Sequence, residues 1–189
     1  FPFGLEALPD APDPKDEALF FANRGLEPIY RPERVIDAFA AVAVQRADAW
    51  LVVANDGSLR PALEAQVRER GLAGRVRFVG RLTAEEQARH YAAARWYLSL
   101  PESDSVSVSV LEAMAHGCVP LLSDLPANRE LVRDGDNGLI VGEVAALPAR
   151  LASLAPRAEA IAQANHAWVA EHALFPRSVD AFLARLEAL

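Results

Sequence analysis

Cysteine is nearly absent from this 189-residue chain, where Cys118 stands alone. One thiol closes no disulfide and builds no zinc cluster within the chain, so the fold is expected to rest on its core, and a reducing cytoplasm is the simplest compartment. A basic excess is lacking too. Nineteen Lys and Arg are set against 26 Asp and Glu, a formal charge of −7, which argues against a broad nucleic-acid footprint because backbone phosphates require a cationic face. A small anion such as a diphosphate is not excluded, since it needs only one or two placed cations and some backbone N–H groups. No apolar run approaches the roughly 18 residues of a membrane span, and no basic stretch leads into an apolar one as a secretory signal would. The chain therefore reads as soluble, and any membrane association is expected to be peripheral and to belong to the full-length protein. What is present is a composition 52% hydrophobic and 24% charged, ordinary for one globular domain. A domain of this size buries roughly 70% of the surface of its unfolded chain.

The proline-rich segment 1–15 reads as an extended linker, since proline disfavours helix at and before itself. The apolar run Ala18, Leu19, Phe20, Phe21, Ala22 then suits a strand buried on both faces. Pro32, fitted to a first helical turn, opens a stretch where Val35, Ile36, Phe39, Ala40 and Val42 recur at helical spacing. The alternation repeats with a strand over Trp50 to Ala54, a helix over Leu59 to Arg70 closed by Gly71, and a strand over Val76 to Val79. Thr83 and Glu86 form a capping box for the next helix. Strands over Arg95 to Leu100, Val119 to Leu122 and Leu139 to Val141 are separated by helices near Val110 to His116 and Asn128 to Arg133. Beyond Glu143 the chain is helical and alanine-rich, with breaks at Pro148, Pro156 and Pro176. Strands alternating with helices imply crossover connections and an α/β, Rossmann-like, doubly wound parallel sheet of about six strands. Ligands sit beyond the carboxyl ends of such strands, so the loops after Asn23, Ala54, Gly80 and Leu100 are expected to line a site. Residues 16–174 would form the domain. Residues 175–189 would form a C-terminal helix, packed on its own sheet or presenting an apolar face.

The most informative stretch runs from Pro101 to Pro120. Serine and valine alternate from Ser105 to Val110, which alone would suggest a half-exposed strand, but Leu111, Met114 and Ala115 follow at helical spacing with Gly117 as a stop. The serines are better read as a loop and first helical turn. Their free N–H groups and hydroxyls either face an anion or simply cap the helix.

This stretch resembles the signature of family 4 retaining glycosyltransferases, two-domain enzymes of the GT-B type: a Glu, seven residues, a second Glu, then Ala-Met-Ala and Gly. Asp104 stands at the first acidic position and Glu112 at the second, followed by Ala113, Met114, Ala115 and Gly117. Phe1 to Gly4 resembles the family's interdomain segment, Val53 to Gly57 its second-strand turn around Asn55, and Phe78 to Leu82 its base-side loop. Asn128 to Val132 with Asp134 to Gly138 resembles its late helix and turn. The resemblance implies that a nucleotide diphospho-sugar donor is the partner, that no cofactor or metal is used, and that the chain is the C-terminal, donor-binding half lacking an N-terminal acceptor domain. By it, Glu112 would accept the ribose hydroxyls, as two carboxylate oxygens suit a vicinal diol. Asp104, one methylene shorter than the usual Glu, would contact the donor sugar, with the backbone of Ser105, Val106, Ser107, Val108 and Ser109 reaching sugar and phosphate. Gly80, Arg81 and Leu82 would hold the base. Arg24 would clamp the diphosphate, where a forked guanidinium can do the work of a metal. Five positions on, where the family carries a lysine, this chain has Ile29. Arg31, Arg34 or the Tyr30 hydroxyl are the candidates to replace it. Read as structure only, Glu112 favours a helix dipole and Arg24 is a solvated loop charge.

His90, His116, His166 and His172 lack ligand spacing, although His116 shares a helix with Glu112, and they read as solvated or capping. Trp50, Trp96 and Trp168 read as core. Two other functions stay open. One is a nucleotide-sugar epimerase, for which no histidine and carboxylate set is found. The other is a non-catalytic nucleotide-binding or interaction module, favoured by the missing lysine and the shortened acid.

Overall fold

The apolar runs form one parallel sheet in the computed structural model, which describes residues 4–10, 14–105, 107–176, 179 and 183. Its strands are β1 Asp16–Ala22, β2 Trp50–Ala54, β3 Val76–Gly80, β4 Ala94–Ser99, β5 Val119–Ser123 and β6 Leu139–Val141, in the order β3-β2-β1-β4-β5-β6. Helices α1 Pro32–Gln45, α2 Arg60–Glu69, α3 Ala84–Ala93, α4 Val108–Ala115, α5 Pro126–Leu131, α6 Leu147–Leu154 and α7 Ala158–His172 connect and cover them. The expected doubly wound sheet of six strands is what forms.

Because successive side chains point to opposite faces, a strand covered on both sides must be apolar throughout. Phe20 and Phe21, both fully buried, show the division. Phe20 enters one core, 5.7 Å from the Phe39 ring of α1 and 6.0 Å from Trp96. Phe21 enters the other, 5.1 Å from the Tyr91 ring of α3. The first core is closed by α1, α2 and α6, the second by α3 and α4, and α7 supplies Ile161 to one and Val169 to the other. Burying one such aromatic side chain contributes roughly 1.5–3 kcal/mol. Trp96 is core as expected, while Trp50 and Trp168 pack at the margin of the second cluster.

Helix starts follow the local chemistry. Thr83 and Glu86 complete the capping box of α3, with the Glu86 N–H donating to Thr83 Oγ1 at 3.2 Å and the Thr83 N–H to Glu86 Oε2 at 2.8 Å. Pro148 corrects an expectation: it opens α6 in the first turn instead of breaking a helix, because a missing N–H costs nothing there. Pro156 does interrupt, in the 3-10 turn between α6 and α7. Within the segment read as a linker, Leu5 is buried, its N–H donates to the Ala173 carbonyl at 2.8 Å and its carbonyl accepts from the Phe175 N–H at 2.8 Å. That segment is therefore fastened to the chain beyond α7. Most of 175–189, like residues 1–3 and 11–13, lies outside the described residues. No helix among the described residues is long and apolar enough to cross a membrane.

Candidate functional site

From β1 the chain steps outward to β2 and β3, then returns past β1 to β4, so the loops leaving β1 and β4 diverge and open a crevice at the carboxyl edge. Arg24 lies on the first of these loops and Asp104 on the second. The Arg24 NH2 group lies 2.7 Å from Asp104 Oδ2, with side chains only 19% and 15% exposed. Its NH1 donates to Ser107 Oγ at 3.0 Å, and the Tyr30 ring sits 4.6 Å from the guanidinium carbon. Arg24 Nε is buried and has no hydrogen-bond partner among the described residues. Arg24 is thus no solvated loop charge.

Ser107 is the N-cap of α4, yet its side chain makes no cap bond to the helix and accepts from Arg24 instead. The Val110 N–H donates to the Ser107 carbonyl at 3.0 Å, and the N–H groups of Val108 and Ser109 precede this first helical bond. Ser105 is exposed with its N–H donating to Asp104 Oδ1, Ser109 is half-buried, Val108 is exposed, and Val106 lies outside the described residues. Helix α4 starts at Val108, two residues earlier than the periodicity suggests.

Glu112, in the second turn of α4, is held by a chain of hydrogen bonds that begins at the end of β1. Tyr97 donates to Asn23 Oδ1 at 2.7 Å, and Asn23 Nδ2 donates to the Tyr91 hydroxyl at 2.7 Å. The Tyr91 hydroxyl lies 3.1 Å from Glu112 Oε2 and 3.3 Å from the Ser109 carbonyl, and Gln87 Nε2 reaches Glu112 Oε2 at 3.4 Å. Burial pushes the Glu112 carboxyl above its ordinary range, while the bonds from Tyr91 and Gln87 act the other way. Burial also raises the Tyr91 and Tyr97 hydroxyls, which therefore remain protonated donors. Glu112 faces a cavity of about 620 Å³, lined also by Val108, His116, Ala88 and residues 4–9.

On the other side of the crevice Asn55 adopts a positive φ of 77° and its N–H donates to the Gly80 carbonyl at 2.6 Å. Gly80 itself has φ 73°, a conformation that favours glycine. Asn55 Nδ2 lies 3.5 Å from the Asn23 carbonyl, tying this turn to β1. Leu82 packs on the second core and Arg81 is exposed. Among the described residues no group of three or more His, Cys, Asp or Glu is placed to hold one metal ion.

A sequence model described as "Glycosyl transferases group 1" matches residues 7–163. The chain belongs to this family. It is 31% identical over 144 residues to the phosphatidyl-myo-inositol mannosyltransferase of Mycobacterium leprae, covering 73% of this chain and 37% of that protein. It is 29% identical over 135 residues to the D-inositol 3-phosphate glycosyltransferase of Jonesia denitrificans, covering 68% and 32%. The crystal structure of the pneumococcal O-GlcNAc transferase GtfA in complex with UDP and GlcNAc superposes with a TM-score of 0.85 at 16% identity, over 98% of this chain and 38% of that one. The chain thus spans about a third of the length of the relatives it matches, and its fold is that of the C-terminal Rossmann-like domain of GT-B enzymes.

In this group 1 glycosyl transferase domain the candidates for a second cation each have partners of their own. Arg31 is paired with Glu33 at 2.5 Å and Glu102 at 3.2 Å. Arg34 donates to the Val141 and Gly142 carbonyls. Tyr30 offers its ring to Arg24, and Ile29 is 48% exposed. Tyr91, Asn23 and Gln87 were not legible as site residues, because Tyr91 looks like any apolar-face residue of a helix and Asn23 like a turn.

Of the two readings of His116, solvated or capping, the structure agrees with the second. It is half-buried as the C-cap of α4, stacked 5.6 Å from the Tyr91 ring, and burial, followed by the Lys15 and His166 charges, holds its imidazole down at about 4. Its ordinary value is 6.5. Between those values the unfolded chain takes up a proton that the folded chain refuses, so stability falls as pH drops through this window and is unaffected above it. His116→Phe keeps a ring at that place and removes the titration. Between about pH 7 and about pH 5 it is expected to lose less stability than the parent, by on the order of 1 kcal/mol after discounting for solvent contact. Equal losses in scanning calorimetry would refute the assignment.

Proposed function

We propose that the chain is the donor-binding domain of a retaining, metal-independent, cytoplasmic glycosyltransferase that moves a hexosyl group from a nucleotide diphospho-sugar to an acceptor held by another domain. The observation that carries this is the Arg24 guanidinium, largely withdrawn from water at the β1/β4 crevice and within 3.0 Å of the N-cap serine of α4. A diphosphate there would lie between a forked cation and the amino end of α4, both of which stabilise negative charge as it develops on the leaving group. Membership of group 1 supports the reading, as do the relatives named as mannosyl- and glycosyltransferases and the neighbour that holds UDP and GlcNAc.

In this reading Glu112 accepts the ribose hydroxyls, Asp104 and the backbone at Ser105, Val106 and Ser107 meet the sugar and phosphate, and Gly80, Arg81 and Leu82 carry the base. Residues 1–15 join the domain to the rest of the enzyme, and any membrane contact belongs to the whole protein at its periphery. The chain alone binds nucleotide weakly and transfers nothing. Isothermal titration with UDP, GDP and ADP, with and without EDTA, tests this: one of the three is expected to bind in both conditions. Silence from all three at millimolar concentration would end the proposal.

Tyr91→Phe probes the support of Glu112. The ring stays, but the buried Asn23 amide loses its acceptor and Glu112 a hydrogen bond, so stability is expected to fall by about 1 kcal/mol and nucleotide affinity by about threefold to tenfold. If stability falls and affinity does not, the hydroxyl serves the core alone.

A further inference from the structure

Asp104 and Arg24 are expected to serve different parts of the ligand, yet in this structure they bind each other. The carboxylate is 2.7 Å from the guanidinium, and both side chains are more than four-fifths shielded from water. The other terminal nitrogen of Arg24 is on Ser107, and the Tyr30 ring covers one face. Arg31 and Arg34 are engaged by Glu33, Glu102 and the carbonyls of Val141 and Gly142, so each is drawn toward acceptors of its own. A diphosphate entering this crevice therefore competes with Asp104 for the Arg24 charge, at close range and where little water screens the competition.

We propose that Asp104 is a specificity-determining residue: its carboxylate competes with phosphate for Arg24 and thereby favours the nucleotide diphospho-sugar over the free nucleoside diphosphate. The inference rests on the donor-binding reading above. A bound donor carries sugar hydroxyls, which donate to the displaced carboxylate and compensate for its lost partner. A free nucleoside diphosphate has no sugar beyond its second phosphate to supply such donors and has one more ionisable phosphate oxygen, so Asp104 is left facing like charge without a partner. The ion pair then re-forms as the nucleotide leaves. The same carboxylate that tolerates the substrate disfavours the leaving product, and no second conformation of the fold is needed for this.

The experiment is isothermal titration of the 189-residue chain with UDP, GDP and ADP, and with UDP-glucose, GDP-mannose and ADP-glucose. For whichever base binds, Asp104→Asn is expected to bind the nucleoside diphosphate about tenfold more tightly and the diphospho-sugar no more tightly, so that the affinity ratio between the two shifts by about tenfold. Asp104→Glu keeps the charge and is expected to keep the parent ratio within about threefold. If Asp104→Asn does not fold, Asp104→Ser is expected to shift the ratio in the same direction. A nucleotide that binds with the same ratio in the parent and the neutral variants overturns the inference and leaves the donor-binding reading standing. Absence of binding by every nucleotide to every form overturns the reading itself.

Discussion

Replacing Arg24 with alanine is expected to weaken binding of the nucleoside diphosphate between about 10-fold and 100-fold, the equivalent of one or two charge-assisted hydrogen bonds to phosphate. Two effects have to be separated. The first is the lost contact with the ligand. The second is that Asp104, 15% exposed, is left without its cation, and an unpaired carboxylate at that depth destabilises the fold. Arg24→Ala with Asp104→Asn removes both charges and is expected to recover melting temperature while binding the nucleoside diphosphate more weakly than Asp104→Asn alone. Arg24→Lys retains charge but not the fork, and the Tyr30 face that packs a planar guanidinium suits an ammonium less well. It should recover only part of the binding. A double variant that binds the nucleoside diphosphate as tightly as Asp104→Asn alone would show that the phosphates are held elsewhere.

Arg95→Ala is expected to cost about 3 kcal/mol, which for a chain of this size lowers the melting temperature by roughly 6–12 °C. Arg95 stands in β4, a strand buried at every position, and is itself 2% exposed. It is tolerated because Glu17 of β1 meets Nε at 2.7 Å and Glu159 of α7 meets NH2 at 2.6 Å, so that one cation joins two strands and a helix at the amino edge. Its NH1 has no hydrogen-bond partner among the described residues, so the guanidinium is not fully compensated by them even in the parent. Both glutamates are about half exposed and can be resolvated, which caps the cost of removing the arginine. Glu17→Gln with Glu159→Gln leaves the buried cation alone and should cost at least as much. The hydrogen bond from Arg95 holds the Glu159 carboxyl below its usual 4.5, so this contribution is present above that pH and fades as acid protonates the group. Denaturant titration of the variants measures these losses, and Arg95→Met, which refills the space, is expected to lose less than Arg95→Ala. Equal stability of Arg95→Ala and the parent would show the network to be dispensable.

The elements were legible because each carried a local signal. Phe20 and Phe21 side by side demand cover on both faces of a strand, Thr83 with Glu86 starts a helix wherever it is placed, and Gly117 stops one. Pro148 was misread because the same residue both ends and begins helices, and only the position of its missing N–H relative to the helix decides which. In the site, Asp104, Ser107 and Glu112 were legible as a spaced motif and Arg24 as a cation after the first strand, but not their pairing. That depends on β1 and β4 lying side by side, although the chain between them passes through β2 and β3.

Sequence by itself therefore determined the alternating elements, the doubly wound class and the residue types available for a diphosphate. Tertiary structure decided what those residues do to one another: Arg24 meets Asp104 from 80 positions away along the chain, Asn23 and Tyr91 reach Glu112 through the core, and Arg31 and Arg34 are taken by other acceptors. The physical reason is range. Periodicity and capping act within a few residues of chain, whereas charge pairing and desolvation act through space, and only the order of strands in the sheet sets which charges share that space.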